Sequence, residues 1–220
     1  MKKIIILLIA TGLALPAMSQ KIDRSTVRRF SLGTDLFTDI LMNKPEGMDI
    51  RTINQGAGIF GMYNFPIGES DFSFAIGAGI TCHNIYSDSR IEDFRADTIV
   101  FVRIPDSIDY SRSKLGLTYL DFPMEFRLKT EQKFRMSVGF KVGVLIDAKT
   151  KFKGENEAGD KYIIKEKQVA QLEKWRYGPT IRIGYDWINV VGFFSLSQFF
   201  QENLGPEYYP VSVGITLMPF

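Results

Sequence analysis

Asp35, Asp39, Asp121, Glu125, Arg127, Arg135, Lys141, Asp147, Arg176, Arg182 and Asp186 are separated, within each stretch of chain, by even numbers of residues. The positions between them at the same spacing are mostly Gly, Ser and Thr. Carboxylates interleaved with guanidinium and ammonium groups on one narrow face can do two kinds of chemistry. In a closed space they neutralise one another and fill it, because a buried charge persists only when paired. In a more open one they line a path for protons or ions. The preferred reading is a paired plug, an interior charge network formed by Asp35, Asp121, Glu125, Arg127, Arg135, Lys141, Asp147 and Arg182.

His83 is the only histidine. Beside Ser87 or Ser89 it could act as a base in a lipid-modifying enzyme, yet no Ser-His-carboxylate spacing accompanies it. With one His and one Cys, Cys82, the chain lacks a metal-ligating cluster. Residues 154–160 offer carboxylate and amide oxygens but not the register of a calcium loop. No glycine-rich phosphate motif is present. Catalytic, cofactor and metal sites are therefore all expected to be absent.

The elements that must position these charges read as β-strands. Over 134–148, Phe134, Met136, Val138, Phe140, Val142, Val144, Ile146 and Ala148 alternate with Arg135, Ser137, Gly139, Lys141, Gly143, Leu145 and Asp147. Period two over that length is a strand with one apolar face. Residues 120–128 alternate in the same way, with Leu120, Phe122, Met124, Phe126 and Leu128 apolar, so the two make a tight hairpin. The opposite face is Gly and Ser punctuated by single charges, which suits the cramped interior of a small barrel. The bulky face would then look outward into lipid, where Lys141 would cost roughly 2–4 kcal/mol were the strand turned over.

Six further strands follow the same pattern: 29–42, 53–65, 72–86, 175–185, 188–200 and 211 to the end. Leu115 and Leu117 have the opposite parity to Leu120, which suggests a bulge near Thr118. Val191 and Phe193 intrude on the polar face of their strand. Connections alternate between short (66–70, 130–132, 186–187) and long (43–52, 87–113, 150–174, 201–207). Short periplasmic turns and long external loops give this alternation, and an even strand number closes the sheet. The expected fold is all-β: an eight-stranded antiparallel up-and-down transmembrane β-barrel. The run 98–104 inside the second long connection is β-prone, so the strands flanking it are expected to project beyond the membrane as a hairpin.

Targeting agrees. Lys2 and Lys3 precede an apolar run from Ile4 to Ala17, and Ala17 and Ser19 supply small residues around a cleavage point. Residues 1–19 are expected to be a signal peptide and 20–220 the barrel domain. Without Lys2 and Lys3 the chain has 25 basic and 25 acidic residues, which gives no support to nucleic-acid binding. Aromatic residues gather where two membrane interfaces would lie: Tyr63, Phe65, Phe72, Phe126, Phe134, Tyr185, Trp187 and Phe220 beside the short turns. Trp175, Tyr177, Tyr208 and Tyr209, with Tyr86, Tyr119, Phe199 and Phe200, lie beside the long loops. Such girdles belong to outer-membrane barrels.

Tyr119-Leu120-Asp121-Phe122-Pro123-Met124, the Gly-rich strand Val138-Gly139-Phe140-Lys141-Val142-Gly143 and the closing Pro210-Val211-Ser212-Val213-Gly214-Ile215 resemble the outer-membrane β-barrel proteins of the Bacteroidota, grouped as porin family or PorT-like. The resemblance implies an eight-stranded outer-membrane barrel; the namesake of the group supports a secretion pathway. The expected role is structural or binding, at the cell envelope, through the external loops. The expected partners are outer-membrane lipid, the barrel-assembly machinery, and a surface or secretion partner at loops 87–113 and 150–174. Two alternatives stay open, an enzyme acting on lipid A and a soluble secreted barrel holding a small apolar ligand.

Overall fold

The computed structural model describes residues 29–43, 48–155, 160–167 and 169–218. The expected signal peptide, Phe220 and the loop tip 156–159 lie outside the described residues. The first three strands, β1 (Phe30–Met42), β2 (Gln55–Pro66) and β3 (Phe72–Tyr86), follow their alternation to within two residues. A small pair follows, β4 (Ser89–Ile91) and β5 (Phe101–Arg103). Then come β6 (Tyr110–Lys129), β7 (Phe134–Glu155), β8 (Lys161–Lys167), β9 (Trp175–Tyr185), β10 (Ile188–Phe194) and β11 (Tyr209–Leu217).

Each barrel strand pairs antiparallel with its neighbours, in the order β6-β3-β2-β1-β11-β10-β9-β7, and β7 pairs back to β6. The sheet is thus closed by eight strands, which leaves the barrel no open edge, as hydrocarbon requires. The outward face is apolar and uncovered: Leu32, Leu36, Ile59, Ile76, Phe122, Val138, Ile181, Val190 and Ile215 are all exposed. A face like this is unfavourable in water and favourable in lipid. Both described ends, at Arg29 and Met218, lie at the rim with the short turns, where Asn64 N–H donates to Arg29 O and Met218 N–H to Trp187 O.

Three features depart from the sequence reading. First, β6 stays regular against β3 through Thr118, while against β7 the pairs run Thr118↔Asp147 and then Tyr119↔Leu145. The extra residue is therefore Ile146 on β7, and the bulge expected near Thr118 sits on the partner strand. Beyond it the parity of β7 inverts, which turns Asp147 outward and Ala148 inward. Leu115, Leu117 and Tyr119 need no bulge; they point inward and are buried.

Second, β3 stays paired with β6 as far as Tyr86↔Lys114, so these two strands do rise together, but they are not the longest projection. β6 and β7 extend past the barrel together, from Tyr110 to Glu155, and β8 adds a third strand to β7. The β-prone run forms β5, which pairs with β4 as a separate two-stranded sheet.

Third, β10 ends at Phe194 rather than near residue 200, and the chain turns in over the mouth. There Phe199 and Phe200 join Met48, Ile91, Ile99, Val169, Leu172, Tyr208, Leu115 and Leu117 in one apolar cluster. The long connections therefore fold into a cap with its own core, above the barrel. Tyr119, Phe199, Phe200 and Tyr208, expected in the girdle, belong to this cluster, because a mouth closed by apolar loops removes more aromatic surface from water than a rim position does. Burial pushes the Tyr208 phenol well above its ordinary pKa.

Candidate functional site

The interior of the barrel holds two layers of paired charge, each assembled from strands far apart in sequence. Near the short turns, Arg127 on β6 donates from Nε to Glu125 Oε2 (2.8 Å) and from Nη1 to Ser31 Oγ (2.8 Å) and Asn64 Oδ1 (2.6 Å). Arg182 on β9 bridges to the other side: Nη1 meets Glu125 Oε1, Nη2 donates to Asp35 Oδ2 (3.1 Å), and Nε donates to Thr216 Oγ1 (3.1 Å). Thr216 in turn donates to Asp35 Oδ1 at 2.5 Å. Two guanidiniums thus face two carboxylates, and the Arg182 guanidinium also lies over the Phe60 ring at 4.7 Å.

The second layer lies nearer the cap. Arg176 Nη2 donates to both oxygens of Asp121 (2.8 and 2.7 Å), which also accepts from Thr81 Oγ1 (2.5 Å). Lys141 Nζ is 3.8 Å from Asp121 Oδ2 and 4.1 Å from the centre of the Phe193 ring. His83 Nδ1 sits 2.6 Å from Asp39 Oδ2, and Asp39 Oδ1 accepts from Ser212 Oγ at 2.6 Å. The remaining His83 nitrogen, Nε2, meets Arg176 Nη1. A guanidinium can only donate, so Nε2 accepts and the ring proton resides on Nδ1, facing Asp39. With His83 neutral, Asp39 and Asp121 balance Arg176 and Lys141.

Local sequence explains why these side chains fit. A Cβ at Gly143 would collide with Asp121 Oδ1, so only glycine there allows the bidentate Arg176–Asp121 pair. The same holds at Gly139, where a Cβ would meet Met124 O and the Glu125 side chain. The Gly-rich face of β7 is room made for the charged residues of β6.

Of the residues assigned to the network from sequence, Asp35, Asp121, Glu125, Arg127, Lys141 and Arg182 lie in these layers. Arg135 stands at the short-turn rim, its Nη1 donating to Met218 O at 3.0 Å. Asp147 does not belong: beyond the Ile146 bulge it faces out and pairs with Lys149 at 3.4 Å. Asp186 sits in the short turn with a positive φ and pairs with Lys133, outside the barrel. Alternation did place Asp39 and Arg176 inside, but not the Asp39–His83–Arg176 chain, which depends on cross-barrel distance. His83 does not face the serines considered for catalysis. Ser87 Oγ donates to Ser89 O, and Ser89 Oγ to Asp88. Tyr63, Phe65, Phe72, Phe126, Phe134, Tyr185 and Trp187 ring the short-turn end on the outer face, with Phe72 and Phe126 stacked at 5.4 Å. Trp175, Tyr177 and Tyr209 stand on the outer face at the cap end.

Lys141→Glu is expected to cost the folded barrel about 3–5 kcal/mol, the usual penalty for breaking a buried ion pair, since it sets a carboxylate against Asp121. The measurement is the temperature at which the folded, fast-migrating gel band is lost. Charge reversal at exposed Arg95 in the cap should cost under about 0.5 kcal/mol. Equal stability of Lys141→Glu and the wild type would mean the layer is hydrated rather than packed.

A family model for an outer membrane protein beta-barrel domain matches residues 19–206. Among solved structures, a triple mutant of Rh. blastica porin is similar at 8% identity and a TM-score of 0.23, over 86% of this chain and 99% of that one. A second triple mutant of the same porin gives 9% identity and 0.23 over the same shares. No curated protein matches the chain significantly.

Proposed function

The chain belongs to the outer membrane protein beta-barrel domain family, and on that premise we propose that it serves the envelope as a closed barrel with a structural or binding role. It lies in the outer membrane. The observation that carries the proposal is double closure: two balanced charge layers fill the bore, and a cap with its own apolar core covers the outer mouth. Eight strands leave an interior just wide enough for side chains, and here the side chains are mutually paired. The role then falls to the surfaces outside the bore, with lipid, the barrel-assembly machinery, and a surface or secretion partner at 87–113 and 150–174 as the contacts. Kinship to the PorT-like proteins of the Bacteroidota is part of the same proposal, supported by the phrases around Tyr119, Val138 and Pro210.

The purified full-length protein in planar bilayers should show no steady porin-like conductance. Stable open channels in the wild type would overturn the closed-barrel reading. No catalytic step is proposed, because His83 is held between Asp39 and Arg176. Lipid A composition in a His83→Ala strain should therefore equal that of the wild type. An altered composition matching the full deletion would establish the enzyme instead.

A further inference from the structure

The ribbon that β6, β7 and β8 form beyond the barrel carries an unusual outer face. Cross-strand partners place Lys114 opposite Lys151, and Lys151 opposite Lys165. One step along, Lys149 stands opposite Lys167, and on the other side Arg112 stands opposite Lys153. Against these the face offers Asp147, which pairs with Lys149, and Glu155, which has a partner of its own. Like charges directly opposite one another on adjacent strands are destabilising. Lysines on an edge strand can serve simply to discourage strand addition. That accounts for Lys165 and Lys167 on β8, whose second edge is unpaired among the described residues. It does not account for Lys114 and Lys151, which lie on interior strands of the ribbon.

Two further observations point to an anion. The Ile146 bulge is what brings Lys149, Lys151 and Lys153 to the outer surface; the unbroken parity of β7 would have aimed them at the cap core. The height of the row is the other. Outward residues of β6 run from Leu128 to Leu120 as the lipid belt, then through Thr118 and Gly116 to Lys114. At roughly 3.4 Å per residue and a tilt of about 40°, Lys114 stands on the order of 35 Å above Leu128 along the barrel axis. The apolar band of such barrels is about 25 Å tall, so the row stands about 10 Å above the hydrocarbon, at the level of the headgroups. Lys114 is outside the spanning part of β6; partial burial and the charges of Arg112, Lys149 and Lys151 hold its ammonium below the ordinary lysine pKa. It also donates to Asn84 Oδ1 at 2.6 Å, which fixes it in the row.

We propose that this face binds the phosphate groups of anionic lipid headgroups in the outer leaflet, with the Lys114–Lys151–Lys165 row as its centre. Bound phosphates cancel the cross-strand repulsion, and the same lipids' acyl chains cover the apolar wall below. The proposal rests on the outer-membrane location, not on the closed bore, so a conducting wild type would leave it standing.

The test uses the folded full-length protein in neutral detergent, titrated with fluorescent bisphosphorylated lipid A and with the same lipid dephosphorylated. The wild type should prefer the phosphorylated probe by roughly ten- to hundredfold, as expected for a few lysines at a charged surface, and the preference should shrink with salt. Lys114→Gln/Lys151→Gln/Lys165→Gln should abolish the preference, whereas Arg95→Gln in the cap should retain it. The triple variant should also fold at least as well as the wild type when phosphorylated lipid is absent, because repulsion has been removed. Equal binding of both probes, undiminished preference in the triple variant, or its failure to fold would each overturn the proposal. So would full displacement of the lipid by millimolar inorganic phosphate, which would mark a site for the free ion.

Discussion

Arg182→Met should destabilise the barrel by about 3–5 kcal/mol, the range for removing one partner of a buried ion pair. Arg182 is the single cation that joins Glu125 to Asp35 across the bore. Glu125 would keep Arg127 at 2.8 Å, but among the described residues Asp35 would keep a single hydrogen-bond donor, the Thr216 hydroxyl, with Lys141 acting on it only through space. A buried carboxylate with one neutral donor is poorly compensated. Adding Asp35→Asn to Arg182→Met should therefore recover much of the loss, although Asp35→Asn alone removes an attractive charge. Denaturant titration of the refolded protein in lipid vesicles measures all three variants. Loss in Arg182→Met that the second substitution leaves unrelieved would show that Arg182 acts through packing on Phe60 rather than through charge.

Phe200→Ala should cost the cap about 3–5 kcal/mol, as for other large aromatic truncations in a core, and cost the barrel little. Phe200 is 1% exposed, sits edge-on to Phe101 at 6.0 Å, and packs against Tyr208 at 6.5 Å. These partners are cap residues, so the lost contacts lie above the membrane. Limited proteolysis within 87–113 should accelerate while the heat-modifiable band keeps its wild-type transition. Conductance should stay low as well, because the two charge layers below remain paired. Parallel loss of cap and barrel would mean that they fold as one cooperative unit.

Much of this protein is legible from its residues alone. Alternation along 30–36, 72–82 and 134–144 determines strand, lipid face and interior face together, since side chains change sides at every residue. The short turn at 130–133 and its counterparts then determine which strands are neighbours, and the even count determines closure. What the sequence by itself could not decide depends on separations in space. Whether the parity break between Leu117 and Ile146 falls on β6 or β7 is a matter of register, and register is a property of two strands. That choice alone moved Asp147 out of the interior and put Lys149 and Lys151 on the surface. The pairing of His83 with Asp39 and of Arg182 with Asp35 is likewise set by the width of the closed barrel, which brings Arg182 and Asp35 together across 147 positions of chain. The cap was hidden for a similar reason: Ile91, Ile99, Leu172, Phe200 and Tyr208 show no common period, and only the tertiary fold gathers them. Local alternation records which way a side chain points, while the partner it meets there is decided by chain closure.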